Sequence, residues 1–270
     1  MSNQVSYLRL EGKVAVVTGA AGILGRVISQ RLVEFGARVA LVDIDLKGVR
    51  ELENALGGES RAKAFACDLA DVVAISTTAS AIVGWTERID ILFNNAATKT
   101  DDLERFFDPV EEYSLDTWRK VMAVNLDGLF VMARECAAVM RKHGGGAIVQ
   151  TASIYGAMAP DMRIYEGSFY LGRQINTPPV YVASKGAVIS LTAYLAALWA
   201  KDGIRVNAIS PGGVTSGQNG VFHEKYSARV PMGRMAEAQE IADAALFLAS
   251  SASGYITGQN LMVDGGLSAW

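Results

Sequence analysis

Short apolar runs rich in valine and isoleucine alternate along the chain with longer segments in which apolar residues return every three or four positions. The runs Val14–Thr18, Val39–Asp43, Ala64–Cys67, Ile89–Asn94, Ala147–Ala152, Arg205–Ser210 and Asn260–Val263 predict seven strands. Several are apolar on successive residues, as parallel strands are when both their faces are covered. The helical period predicts helices over Ile23–Phe35, Val72–Glu87, Leu115–Lys142, Val180–Lys201 and Glu237–Ala249. Strands and helices in alternation imply right-handed crossovers and an α/β fold: a doubly wound parallel sheet of about seven strands with helices on both faces. No repeat, low-complexity tract or linker divides residues 1–270, which are expected to form a single domain.

One stretch breaks the rhythm. From Pro160 to Pro179 no period is evident, and Gly, Pro, Tyr and Arg are frequent. A loop beyond about 12–15 residues in a compact domain is usually functional or disordered. The segment is expected to be an inserted substrate loop that closes over its ligand, a surface embellishment or subunit contact being the alternative.

Composition narrows the class. Half of the 270 residues are hydrophobic, enough for a large core. The net charge is −3 with no run of Lys or Arg, which disfavours nucleic acid and anionic membranes as partners. The two cysteines, Cys67 and Cys136, are not expected to form a disulfide framework and suit a reducing cytoplasm. His143 and His223 stand far apart with no cysteine cluster, so no metal site is expected. No secretory leader is evident at Met1–Leu10, and no apolar run approaches the roughly 18 residues of a membrane span.

Candidate chemistry lies at two places. The first strand runs into Thr18-Gly19-Ala20-Ala21-Gly22-Ile23-Leu24-Gly25 and then into a helix. Glycines there permit a tight turn, close approach of a pyrophosphate and tight helix–sheet packing, while the helix N-terminus offers free N–H groups. A purely structural turn uses the same residues. Context favours the dinucleotide: Asp43 closes the second strand, where a carboxylate can bind the adenosine ribose hydroxyls and repel a 2′-phosphate. No arginine lies among Ala20–Gly22, and Ile44 follows Asp43, so NAD is expected rather than NADP. A turn or cap role for Asp43 is the alternative.

The second place is Tyr181-Val182-Ala183-Ser184-Lys185, at the start of a strong helical pattern. Residues four apart share a helix face, so phenol and ammonium can reach one site. A free phenol, with a pKa near 10, is a poor base at neutral pH, and a nearby cation would lower that value. Tyrosine can then exchange a proton with an alcohol or carbonyl. No other tyrosine here has lysine four residues later.

With these residues in place the chain, from about Leu10 to Gly266, resembles the short-chain dehydrogenase/reductase family. Gly12-Lys13 leads into the first strand, and the glycine-rich turn and Asp43 follow in family order. Cys67-Asp68-Leu69 resembles the adenine-contacting element, and Asn94-Asn95-Ala96-Ala97 the N-N-A-G element, with Ala97 in place of glycine. Val124-Asn125-Leu126 carries the asparagine that in the family holds a water of the proton relay, and Ser153 matches the serine that binds the reacting oxygen. Pro211-Gly212-Gly213-Val214 resembles the turn at the nicotinamide carboxamide, while Tyr255-Ile256-Thr257-Gly258 and Val263-Asp264-Gly265-Gly266 resemble the C-terminal ending.

The resemblance implies a Rossmann-type fold, a homotetramer, and Asn125, Ser153, Tyr181 and Lys185 as the catalytic set. Taken alone, Asn125 reads as a helix-turn residue and Ser153 as a strand-end backbone partner. Cofactor contacts are implied at Gly19, Gly22, Ile23, Leu24, Asp43, Asp68, Leu69, Asn95, Ala96, Ala97, Tyr181, Lys185, Pro211, Gly212, Val214 and Ser216, with Lys185 also on the nicotinamide ribose. Three departures stand out. Ile23 occupies the middle glycine place, Thr215 sits beside the expected hydroxyl of Ser216, and the interval from Ser153 to Tyr181 is longer than usual because of the 160–179 segment. Arg163, Tyr165 and Arg173 there suit a polyhydroxylated or anionic ligand. The expected activity is NAD-linked interconversion of a secondary alcohol and a carbonyl on a sugar or sugar acid. A 3-oxoacyl thioester reductase and a non-catalytic dinucleotide sensor are the alternatives.

Overall fold

The seven expected strands all form, and all lie parallel. In the computed structural model, which describes residues 6–170 and 172–270, strands β1 (Val14–Thr18), β2 (Arg38–Asp43), β3 (Ala62–Ala66), β4 (Ile91–Asn94) and β5 (Gly146–Thr151) come first in the chain. A two-stranded hairpin, β6 (Phe169–Tyr170) and β7 (Arg173–Gln174), interrupts them before β8 (Ile204–Pro211) and β9 (Asn260–Val263). The large sheet has the order β3-β2-β1-β4-β5-β8-β9. The order reverses between β1 and β4, and such a switch point opens a crevice at the carboxyl ends of the strands. This is the doubly wound, Rossmann-type arrangement that the alternation predicts.

Burial explains the strand composition. All five β1 residues and all four of β4 are buried, whereas the edge strand β9 is only half-buried throughout. On one face α1 (Ile23–Glu34) and α2 (Leu46–Ala55) pack with Val17, Leu41 and Phe93. Helix α3 (Val72–Thr86) covers the other face. A short α4 (Leu103–Phe106) and α5 (Leu115–Met122) follow. Next come α6 (Leu129–Lys142), α7 (Ile154–Ala157), α8 (Pro179–Trp199), α9 (Gly220–Ser227) and α10 (Ala238–Ala249).

Three expectations need correction. The helix expected over Leu115–Lys142 is divided by a π-helical turn, Ala123–Gly128, between α5 and α6. Periodicity does not reveal one extra residue in a turn when both flanks keep their apolar faces. Next, Pro179–Asp202 is by length and composition apolar enough to cross a membrane, contrary to the reading above. It nonetheless packs along β8 as a crossover helix, with Val188, Leu195 and Trp199 buried beneath it.

The third correction concerns residues 160–179. They hold a 3-10 turn at Met162–Tyr165 and the β6–β7 hairpin. Ile164 and Tyr165 are buried in a separate apolar cluster with Ile154, Phe222, Tyr226, Val230, Met235 and Leu267. The segment is thus held by a core of its own.

Candidate active site

The crevice at the carboxyl ends of the strands gathers both sets of candidate residues. Where β1 ends, Thr18 Oγ1 accepts the N–H groups of Asn95 (3.1 Å) and Ala96 (3.2 Å). Asn95 Nδ2 donates back to the carbonyls of Thr18 (3.3 Å) and Gly19 (3.4 Å). The turn is thereby fixed to the end of β4. Gly19 has φ +66°, and a Cβ there would stand 2.8 Å from Ala96 Cα. A Cβ on Gly25 would stand 2.0 Å from the Gly19 carbonyl oxygen. Ile23, in the middle glycine place, is 54% exposed as the first residue of α1, so its side chain points out of the turn.

This cradle fits a pyrophosphate. Gly22 caps α1 without a side-chain hydrogen bond, whereas Asp45, Asp71, Asp102, Ser114 and Asn219 each cap their helices. Among the described residues no side chain caps the first N–H groups of α1, which include that of Leu24, and the helix dipole favours an anion there. Asp43 closes β2 with Oδ2 accepting the Ala21 N–H (2.9 Å) and Oδ1 the Asp45 N–H (3.0 Å). These two bonds fix its carboxylate beside the turn, and Ile44 is 71% exposed next to it. Farther along, Asp68 is exposed and accepts the Ala70 N–H at 2.8 Å, Leu69 is buried, and Ala97 is exposed.

On the opposite side Pro211 ends β8, and Gly212 packs so closely that a Cβ would meet Asp264 Cα at 2.9 Å. Val214 bridges to Ala236. Gln218 holds both groups of Ser216: the N–H donates to Gln218 Oε1 (2.8 Å), and Oγ accepts from Gln218 Nε2 (2.8 Å). The Thr215 N–H is taken by the Ala236 carbonyl at 2.9 Å.

The catalytic candidates converge between β5, α7, α8 and the π turn. Ser153 is buried at the N-cap of α7, its Oγ accepting the Tyr155 N–H at 3.2 Å. Pro179 starts α8 with its φ already helical, which sets Tyr181 in the first turn and Lys185 one turn on. Lys185 is 3% exposed, and its Nζ donates to the Thr151 carbonyl at 2.7 Å. Burial lowers its pKa to about 8. Asn125 sits in the π turn, a feature frequent at functional sites. Its Oδ1 accepts the Thr98 N–H (2.9 Å), and its Nδ2 donates to Ser184 Oγ (3.4 Å), which donates to the Tyr181 carbonyl (2.9 Å).

Burial pushes the Tyr181 phenol up, and its hydrogen bond with Ser153 pulls it down. The sequence assigns that lowering to Lys185, but the ammonium is turned to Thr151, 5.8 Å from the centre of the Tyr181 ring. In this geometry Ser153 supplies the hydrogen bond that opposes the effect of burial on the phenol.

Of the three substrate candidates, Arg163 and Tyr165 do not come together as donors around a ligand. Tyr165 is buried and stacked on Phe222 at 5.4 Å, its hydroxyl 2.5 Å from Thr177 Oγ1. Arg163 is exposed, with its guanidinium bidentate on Asp161 (2.9 and 2.8 Å). The side chain of Arg173 lies outside the described residues. Sequence reasoning also missed Thr18, Thr151, Ser184 and Tyr226. No local signal marks the last three, whose roles arise from contacts across turns and elements.

The family model described as Enoyl-(Acyl carrier protein) reductase matches residues 19–268. Two curated relatives align nearly end to end. D-threitol dehydrogenase of Mycolicibacterium smegmatis is 38% identical, over 96% of this chain and 94% of that protein. Galactitol 2-dehydrogenase (L-tagatose-forming) of Cereibacter sphaeroides is 38% identical, over 98% of each. Among solved structures, NAD+-bound xylitol dehydrogenase superposes with a TM-score of 0.83 at 30% identity, covering 95% of this chain and 99% of that one. Gluconate 5-dehydrogenase from Burkholderia cenocepacia J2315, in complex with NADP and tartrate, superposes with a TM-score of 0.85 at 30% identity, covering 98% of each.

Proposed function

The chain belongs to the short-chain dehydrogenase/reductase family, and from that premise we propose that it oxidises a secondary alcohol of a neutral polyol to the ketone, reversibly, with NAD. The observation that carries the reaction type is the convergence of Ser153, Tyr181, Lys185 and Asn125 beside an uncapped helix N-terminus and a glycine cradle. The polyol class rests on the relatives named for threitol and galactitol. Arg163 offers no carboxylate clamp, being held by Asp161, so a neutral polyol is preferred to a sugar acid.

A bound nicotinamide dinucleotide supplies the hydride acceptor or donor. Gly19, Gly22, Ile23 and Leu24 would hold its pyrophosphate, and Asp43 the adenosine ribose. Asp68 and Leu69 would flank the adenine, Asn95, Ala96 and Ala97 would line its path, and Pro211, Gly212, Val214 and Ser216 would face the nicotinamide end. Asp43 supports NAD over NADP because a 2′-phosphate would meet its fixed carboxylate. Arg26, in the first turns of α1, donates its Nε–H to the Ala21 carbonyl at 2.8 Å.

The protein's own groups handle the proton. Ser153 Oγ and the Tyr181 hydroxyl bind the reacting oxygen, and Tyr181 takes the alcohol proton in oxidation or returns it in reduction. Lys185 holds a positive charge behind the phenol and reaches the nicotinamide ribose. Asn125, tied to α8 through Ser184, holds the relay water that links Lys185 to solvent. We further take the protein to act in the cytoplasm as a homotetramer, in keeping with two free, buried cysteines and an apolar outer face of α8.

Purified protein with NAD and a panel of four- to six-carbon alditols should produce NADH absorbance, with NADP a poor substitute. Turnover confined to a 3-oxoacyl thioester with NADPH would replace this reading by a thioester reductase. Dinucleotide binding without turnover of any alcohol or carbonyl would leave a sensor.

A further inference from the structure

The cluster around residues 161–168 joins α7, α9 and, through Tyr226, the turn at Gly213. Tyr226 of α9 is 3% exposed, and its hydroxyl accepts the Gly213 N–H at 2.5 Å. Its ring lies so close to that turn that a Cβ on Gly213 would stand 2.6 Å from Tyr226 Cε1. The turn is Pro211–Val214, assigned above to the nicotinamide end. From Tyr226 the aromatic contacts continue to Phe222 (5.7 Å) and from Phe222 to Tyr165 (5.4 Å).

Polar contacts fasten the same two segments along their length. Lys225 Nζ donates to the Glu166 carbonyl (2.8 Å), Arg229 pairs with Asp161 (2.8 Å), and Ser168 Oγ bonds Asn219 Oδ1 (3.3 Å). Residues 161–168 and 219–229 therefore cannot shift independently without breaking several buried or paired contacts. The tyrosine also stands where polarity is costly: burial raises its phenol to about 12, so it stays protonated throughout the neutral range. A neutral phenol keeps the Gly213 contact at every working pH.

We propose that Tyr226 is a positioning residue that couples the nicotinamide-side turn to residues 161–168 through the Gly213 hydrogen bond and the Phe222–Tyr165 stack. When dinucleotide seats against Pro211–Val214, the restraint on Gly213 tightens Tyr226 and, through it, residues 161–168, which pack against Ile154 of α7, the helix that Ser153 caps. The inference rests on the dinucleotide reading of the crevice. It does not depend on the identity of the substrate.

The test is hydrogen–deuterium exchange of the full-length protein with and without NADH, compared with Tyr226→Phe, which keeps the ring and loses the acceptor. In the wild type NADH should slow exchange in residues 19–25 and also in 161–168. In Tyr226→Phe the slowing at 19–25 should persist and that at 161–168 should be lost. The KM for the alcohol should rise about tenfold, the effect of one hydrogen bond, with kcat little changed. Phe222→Leu leaves Gly213 and Tyr226 chemically intact and should give the same separation, so the test survives if Tyr226→Phe folds poorly. Protection of 161–168 by NADH in both variants overturns the coupling, as does a wild type protected only at 19–25. A fall in Tm with unchanged KM reduces Tyr226 to a packing residue and overturns it too. No effect of NADH anywhere in the wild type would instead remove the dinucleotide reading on which the coupling stands.

Discussion

Ser153 is one hydroxyl with two obligations, capping α7 through the Tyr155 N–H and holding the Tyr181 phenol down against the effect of burial. Because burial raises that phenol, oxidation, which needs Tyr181 to accept a proton, should gain rate as pH rises, and reduction should be favoured at neutral pH. Removing the lowering contact in Ser153→Ala should move the ascending limb of the kcat/KM profile for oxidation to higher pH. A limb that stays in place would remove Ser153 from the proton step. Tyr181 and Lys185 were readable from the chain because a four-residue spacing is local. The partner of Lys185 was not, since the Thr151 carbonyl is brought to it by an intervening crossover.

At the scale of elements, apolar runs were sufficient for the seven strands, while α2 escaped detection. That helix buries Gly48, Val49 and Leu52, too few apolar residues for a clear period, and its clearest signal is the Asp45 cap, which accepts the Gly48 N–H at 3.0 Å. The segment 160–179 is the opposite case, ordered without a pattern. It shows no period because its order comes from contacts with α9, distant in sequence, and not from its own repeat. Tyr165 should consequently behave as a core residue: Tyr165→Ala should lower stability by about 3 kcal/mol in urea unfolding, as expected for truncating a buried ring. A loss under about 0.5 kcal/mol, the size of a surface change, would return Tyr165 to the role of a ligand contact.

For the whole molecule, topology was the most legible property, because a strand–helix alternation admits few right-handed arrangements. Every catalytic and cofactor candidate then falls at the carboxyl edge of one sheet, a placement no single motif announces. The outer surface was less legible. Tyr194 (64% exposed) and Leu198 (47%) on α8, with Leu115 (64%) on α5, leave apolar side chains facing outward. If copies of the chain cover them, static light scattering at micromolar concentration should give about four times the 28.8 kDa chain mass. Tyr194→Arg should then yield smaller species, and a wild-type monomer would refute the assembly.

The π turn at Ala123–Gly128 carries a consequence for how such a site can be gained or lost. A π turn is an α-helix with one residue too many, and the surplus is absorbed locally while the faces on either side stay in phase. Val121 before it and Leu129 after it remain buried. Loss of a single codon in this stretch would thus leave the hydrophobic pattern of α5 and α6 intact and restore the more regular ladder of hydrogen bonds. It would also rotate Asn125 away from Thr98 and Ser184. A single deletion would therefore exchange the Asn125 contacts with Thr98 and Ser184 for a straighter helix.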